Sequence, residues 1–271
     1  MMEAALEVHL GGVEGGIGAH TYAAVLGQLT YALEEIDRVI EPTSAAHPLW
    51  KVTNTDWRRG IGAVVQLTPE LRNAASRSTL DLMRTSRELW GGVMSLSREP
   101  EIPTSFTASV VDRVSKVQRQ IKPTTGLTSV TVAPAGVEAP AEFNEALGVN
   151  ARNATAEASL AYGSLVGRLD LISARSTRRR VGLRTDYGSP VTCDVEAIDQ
   201  DLYMRFFAQR VVISGTLKRN ARGQVVSLLA DTLEPDDDVE RISARSLLGA
   251  MPDITDGLSS VEYIRLQRGD A

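Results

Sequence analysis

Residues 162–235, YGSLVGRLDLISARSTRRRVGLRTDYGSPVTCDVEAIDQDLYMRFFAQRVVISGTLKRNARGQVVSLLADTLEP, decide the fold. The stretch reads as strands at Gly163–Ala174, Arg179–Thr185 and Pro190–Val195, a helix at Asp199–Gln209, and strands at Arg210–Lys218 and Gln224–Leu233. Apolar residues alternate along each strand: Leu165, Leu169 and Leu171; Val181 and Leu183; Val191, Cys193 and Val195; Val211, Ile213 and Leu217; Val226 and Leu228. A period of two gives every strand one inward face, as a half-buried sheet that curls on itself requires.

Three strands, a helix and two strands is the wiring of the OB-fold, and the segment resembles that fold. In such a barrel the loop between the first two strands and the loop between the last two flank the oligonucleotide-binding face. Both loops are basic here. The first carries Arg175, Arg178, Arg179 and Arg180, and the second Lys218, Arg219 and Arg222 around Asn220. Guanidinium offers two parallel donors to one phosphate, so these seven side chains form a candidate backbone-contacting patch for DNA or RNA. Base stacking needs aromatics, and this face offers only Tyr187 at a turn, in a chain with 5% aromatic residues. The competing reading is that the loops stay solvated beside Asp170, Asp186 and Asp194.

The first 140 residues read as an α+β domain. A strand at Ala4–Leu10 is followed by a Gly-rich turn, Gly11–Gly18, whose spacing fits neither phosphate-loop pattern. From His20 to Ile40 the positions Tyr22, Val25, Leu26, Leu29, Leu33, Ile36 and Ile40 recur at three and four, giving a helix with one buried stripe. Strands at Leu49–Thr55 and Ile61–Leu67 make a hairpin whose tip holds Trp57, Arg58 and Arg59; Trp57 is placed either to stack on a base or to cover its own core. A helix over Glu70–Leu96, with Leu80, Met83, Arg87 and Trp90 along one side and Gly91-Gly92 bending it, precedes another over Ser105–Ile121 and a strand at Leu127–Ala133. Pro134–Pro140 reads as a linker, and residues 141–161 as a linker or connecting helix.

Composition narrows the function. The chain has 271 residues, enough for two domains, and 43% hydrophobic with 23% charged residues is a globular balance. A net charge of −5 restricts any nucleic-acid contact to a local patch. One cysteine, Cys193, leaves no partner for an internal disulfide and suits a cytoplasmic setting. No apolar run approaches the roughly 20 residues that span a bilayer, so no membrane partner is expected. His9, His20 and His47 are scattered without metal-ligand spacing and read as partly exposed helix or loop residues; no serine sits in a GxSxG turn. We therefore expect no metal, no cofactor and no enzymatic activity.

The tail, residues 236–271, opens with Asp236-Asp237-Asp238, a self-repelling run that reads as a solvated exit. Ser259-Ser260-Val261-Glu262 has capping-box spacing for a short helix, Ser260–Gln267, too short to be stable alone in water. It folds either on a partner or back on its own domain. The stretch Leu247–Arg265, LLGAMPDITDGLSSVEYIR, resembles the C-terminal tails of bacterial VapB-type antitoxins that pair with PIN-domain ribonuclease toxins. The resemblance implies that Tyr263, Ile264, Arg265 and Arg268 contact the toxin, with Arg265 or Arg268 entering its acidic, metal-binding nuclease site. Antitoxins of that kind begin with a short DNA-binding module. The first half here carries no ribbon-helix-helix or helix-turn-helix signal, which leaves nucleic-acid contact, or homodimerisation, to the folded domains. The alternative is an OB-fold module for single strands or RNA without a toxin partner.

Overall fold

The computed structural model describes residues 6–41, 47–58, 61–71, 77–173, 179–186, 190–236 and 265. Its first half runs β1 (Leu6–Gly12), α1 (Ala19–Ile40), β2 (Leu49–Arg58), β3 (Gly62–Glu70), α2 (Thr79–Arg98), α3 (Ala108–Gln120), a 3-10 turn at Pro123–Thr125, β4 (Leu127–Pro134), β5 (Ala141–Glu142) and α4 (Glu145–Thr155). The strands form one antiparallel sheet in the order β2-β3-β1-β4-β5. Placing β1 between β3 and β4 is the split β-α-β arrangement, and it pairs β1 along both edges. Leu6, Val8 and Leu10 of β1, Val65 and Leu67 of β3, and Val130 and Val132 of β4 are buried in a core shared with the helices. Glu7, His9 and Gln66 alternate with them and reach the opposite face.

The α1 stripe is as its periodicity predicts, with Val25, Leu26, Leu29, Leu33 and Ile36 buried. α2 differs. Residues to Glu70 belong to β3, and a capping box starts the helix at Thr79: the Asp81 amide donates to Ser78 Oγ at 3.2 Å and the Ser78 amide to Asp81 Oδ2 at 3.0 Å. The buried side is Leu82, Leu89, Val93 and Leu96 together with Thr85 and Ser86; Met83 and Trp90 are half-buried, Arg87 is exposed, and the Leu80 side chain lies outside the described residues. Two polar residues on the inner face hide its periodicity. Gly91 and Gly92 do not break the helix, and Gly92 lets the Phe106 ring approach so closely that a Cβ would come within 2.1 Å of it.

Residues 141–161 are not a tether. α4 buries Leu147, Ala151 and Ala154 in the same core as α1 to α3, and the next strand has begun by Ser159.

The second half runs β6 (Ser159–Ser173), β7 (Arg180–Thr185), β8 (Val191–Asp194), α5 (Gln200–Arg205), β9 (Arg210–Arg219) and β10 (Val225–Pro235). The sheet closes on itself: β10-β8-β7-β6-β9, with β9 paired again to β10. The β8–β10 ladder is parallel and the others antiparallel. Leu169, Val181, Leu183, Val191, Cys193, Val211, Ile213, Leu217 and Leu228 fill its interior, and Ile198, Tyr203 and Phe206 around α5 join the same core. α5 is shorter than its apolar pattern predicts, because the chain turns at Ala208, φ 63°, to pair Ala208 and Gln209 with Leu169.

Two residues of the expected inward set point elsewhere. A register shift between Leu169 and Leu171 turns Leu171 outward, and one between Val225 and Ser227 sends Val226 against the core of the first half. Residues 1–235 thus form one compact unit with two cores, and residues 236–271 a second unit. No helix among the described residues is long and apolar enough to cross a membrane.

Candidate binding surfaces

The loop between β9 and β10 is built around Asn220. Its Oδ1 accepts from the amides of Arg222 and Gln224, each at 3.0 Å, which closes the turn. Its Nδ2 donates to Ala154 O at 2.8 Å, and Gln224 brackets Ile102, accepting from its amide at 2.8 Å and donating to its carbonyl at 3.0 Å. The loop is thereby fastened to α4 and to the α2–α3 connection. Its cations follow: Lys218 pairs with Glu157 at 3.1 Å, Arg222 with Glu99 at 3.2 Å, and Arg219 donates to Gly223 O at 2.8 Å. A phosphate arriving here would compete with carboxylates already in place.

The loop between β6 and β7 is at the other end of the ladder. Ser159 pairs with Arg219 and Ser173 with Arg180, so Arg219 and Arg180 are fourteen positions apart along β6. Arg175, Arg178 and the turn residue Tyr187 lie outside the described residues. Arg179 donates to Glu196 O at 3.3 Å. Arg180 is exposed, and among the described residues its guanidinium makes neither ion pair nor hydrogen bond. Asp170 and Asp186 both meet strand arginines: Arg184 meets Asp170 at 3.1 Å, and Arg210 meets both oxygens of Asp186 at 2.8 and 2.9 Å.

Of the tail residues singled out in the sequence, Tyr263, Ile264 and Arg268 lie outside the described residues. Arg265 is helical and exposed. Trp57 lies against its own fold, its ring 5.4 Å from that of Tyr22.

A buried cluster that no sequence pattern announces ties α1 to α2. Asp37, on the buried face of α1, is fully inaccessible. Arg77 meets it with both terminal nitrogens, Nη1 to Oδ2 at 2.9 Å and Nη2 to Oδ1 at 2.8 Å; Thr85 Oγ1 donates at 3.1 Å and His47 Nδ1 lies 2.8 Å from Oδ2. Burial alone would push the Asp37 carboxyl up, but hydrogen bonds from His47 and Arg77, the Arg77 charge and the Thr85 hydroxyl outweigh it and hold the group below its usual value. The ionised carboxylate can only accept, so Nδ1–H of His47 is the donor in that contact. The available signal was a carboxylate on an otherwise apolar helical stripe.

His47 also lines a cleft of about 600 Å³ between α1, the start of α3 and the β6–β8 wall. Glu35 and Arg38 of α1, Thr107 and Ser109 of α3, and Asp170, Leu171 and Arg180 of the closed sheet face it. Glu35 is held by Thr107 Oγ1, by Ser109 Oγ at 3.0 Å and by Arg113 Nε at 3.5 Å. Burial raises the Asp170 carboxyl despite its Arg184 partner. A second groove, about 580 Å³, crosses one face of the first sheet, where polar side chains meet each other: His9 lies 3.5 Å from Glu7 and Arg58 3.0 Å from Asp56.

Cys193 is fully buried, and burial pushes its thiol up to about 12, far from a nucleophile's range. Among the described residues no three His, Cys, Asp or Glu side chains converge on one point as a metal site requires. Comparison of the sequence with known protein families and with curated proteins finds no match.

Proposed function

We propose that the protein is a non-catalytic, cytoplasmic binding protein of the antitoxin type, in which residues 236–271 capture and inhibit a PIN-type ribonuclease while residues 1–235 serve as a rigid base. The observation that carries this reading is the separation of the tail as a unit of its own, with Arg265 helical and exposed. A guanidinium at that position suits an acidic nuclease site, because it pairs bidentately with carboxylates that would otherwise hold the divalent cation. The order β6-β7-β8-α5-β9-β10, with β8 parallel to β10, supports reading the base's second half as an OB-type barrel. Co-expression with the product of the adjacent gene tests the proposal. A stable complex that weakens on joint Arg265→Ala and Arg268→Ala substitution is expected, and absence of a complex rejects it.

A second reading is nucleic-acid contact through the barrel. Arg180, exposed and without a counter-ion among the described residues, favours it. The engagement of Lys218 and Arg222 with Glu157 and Glu99 weakens it. Salt-dependent binding of a single-stranded oligonucleotide, lost in Arg179→Ala/Arg180→Ala, would support this reading; binding indifferent to those changes would remove it.

A further inference from the structure

The cleft between α1, α3 and the β6–β8 wall has an uneven charge balance. Both lining carboxylates are already satisfied by the protein, Glu35 by Thr107, Ser109 and Arg113, and Asp170 by Arg184. Arg38 is likewise engaged, 3.7 Å from Glu34. Two polar groups are left over. Arg180 has no ion pair or hydrogen bond from its guanidinium among the described residues, although Asp194 stands directly opposite it in the ladder. His47, held through Nδ1 by Asp37, keeps Nε2 without a partner among the described residues.

Apolar surface accompanies them. Leu171 is 47% exposed, turned out of the barrel interior by the register shift beside it, and Val39 and Pro190 line the same cleft half-buried. A bulge that exposes a leucine costs the barrel a core side chain, and bulges concentrate where a side chain is re-aimed toward a site. A volume of about 600 Å³ at the junction of two packed cores lies within the range of small-molecule sites. The raised Asp170 carboxyl is consistent with a wall poorly solvated by water.

We propose that this cleft binds a small organic anion with an aliphatic body, its head group on Arg180 and its chain along Leu171, Val39 and Pro190. The role is independent of tail-mediated capture and draws only on residues of the first unit. A carboxylate or a phosphate head would satisfy the same guanidinium, so the head group is left to the experiment.

Isothermal titration of the full-length protein with octanoate, octyl phosphate, octanol and inorganic phosphate tests it, with Arg180→Gln as the variant because that guanidinium makes no ion pair or hydrogen bond among the described residues. Saturable one-to-one binding of octanoate or octyl phosphate is expected, the tighter of the two identifying the head group. Octanol and inorganic phosphate should each bind at least about tenfold more weakly, and Arg180→Gln should weaken the anion by about tenfold or more. Leu171→Ser, also outside the core, should weaken the aliphatic anions and leave inorganic phosphate unchanged. Equal affinity for wild type and Arg180→Gln, non-saturable uptake, or binding of phosphate alone overturns the proposal. Failure of every small anion together with oligonucleotide binding through Arg180 overturns it in favour of the nucleic-acid reading.

Discussion

Arg77 and Asp37, forty residues apart, meet end-on with both terminal guanidinium nitrogens on both carboxylate oxygens, and neither side chain is more than 5% exposed. A buried pair of this kind is not itself a large source of stability, because desolvation offsets most of its attraction. Breaking it is another matter. Asp37→Ala removes the carboxylate that both terminal nitrogens of buried Arg77 meet and should cost about 3 kcal/mol or more, measured by urea denaturation, whereas Thr85→Ala, which removes one of several donors, should cost about 1 kcal/mol.

The same cluster sets an acid limit. Asp37 has a folded pKa below the ordinary carboxyl value of 3.8, so its contribution is fully present above 3.8 and is lost as pH falls through the lower folded value. Asp170 has the opposite sign: its raised folded value makes ionisation oppose folding as pH climbs from 3.8 through that value. Urea midpoints followed from pH 6 downward should therefore fall on the acid side, and an Asp37→Asn variant, less stable at neutral pH, should lack the part of that fall due to Asp37.

Neighbouring glycines in α2 should respond in opposite directions. A Cβ on Gly92 would come within 2.1 Å of the buried Phe106 ring, so Gly92→Ala should destabilise by about 1–3 kcal/mol. A Cβ on Gly91 would meet nothing within 4 Å, and Gly91→Ala should stabilise by up to about 1 kcal/mol through helix propensity. Thermal unfolding of the two variants checks the pair of signs.

Much of this architecture is legible from periodicity. α1 shows most of its buried stripe, the aliphatic Val25, Leu26, Leu29, Leu33 and Ile36, while the buried Thr21, Ala32 and Asp37 fall outside that pattern, and the β-strands of the second half show theirs by alternation. Legibility fails where a local rule is overridden. α2 buries Thr85 and Ser86, so its apolar residues do not mark the inner face. Leu171 and Val226 lie beyond register shifts, and one inserted position reverses which way every later side chain points. The cluster at Asp37 unites residues 37, 47, 77 and 85, a convergence that no linear motif carries. Likewise nothing in the sequence around Lys218–Arg222 announces its ion-pair partners Glu157 and Glu99, which are distant in sequence.

Asn220 should be the most sensitive point of the join between the two cores. It is buried and makes hydrogen bonds in both directions, to its own turn and to Ala154 O. Asn220→Ala strands buried backbone groups on both sides and should cost about 2 kcal/mol or more in denaturant titration. Faster proteolysis between α4 and β6 should accompany the loss.

Cys193 should report global opening. With the thiol buried and pushed up to about 12, a thiol-specific reagent at pH 8 should label the native protein only at the rate at which the closed sheet opens, and label it promptly in denaturant.

The central claim is that the tail inhibits a ribonuclease through its guanidinium groups. The direct measurement is the ribonuclease activity of the adjacent gene's product, titrated with the full chain and with its Arg265→Glu/Arg268→Glu form. Stoichiometric inhibition by the native chain, relieved by about tenfold or more when both charges are reversed, is the predicted result. Unimpeded nuclease activity at a several-fold excess of the native chain, or inhibition untouched by the reversal, would contradict it.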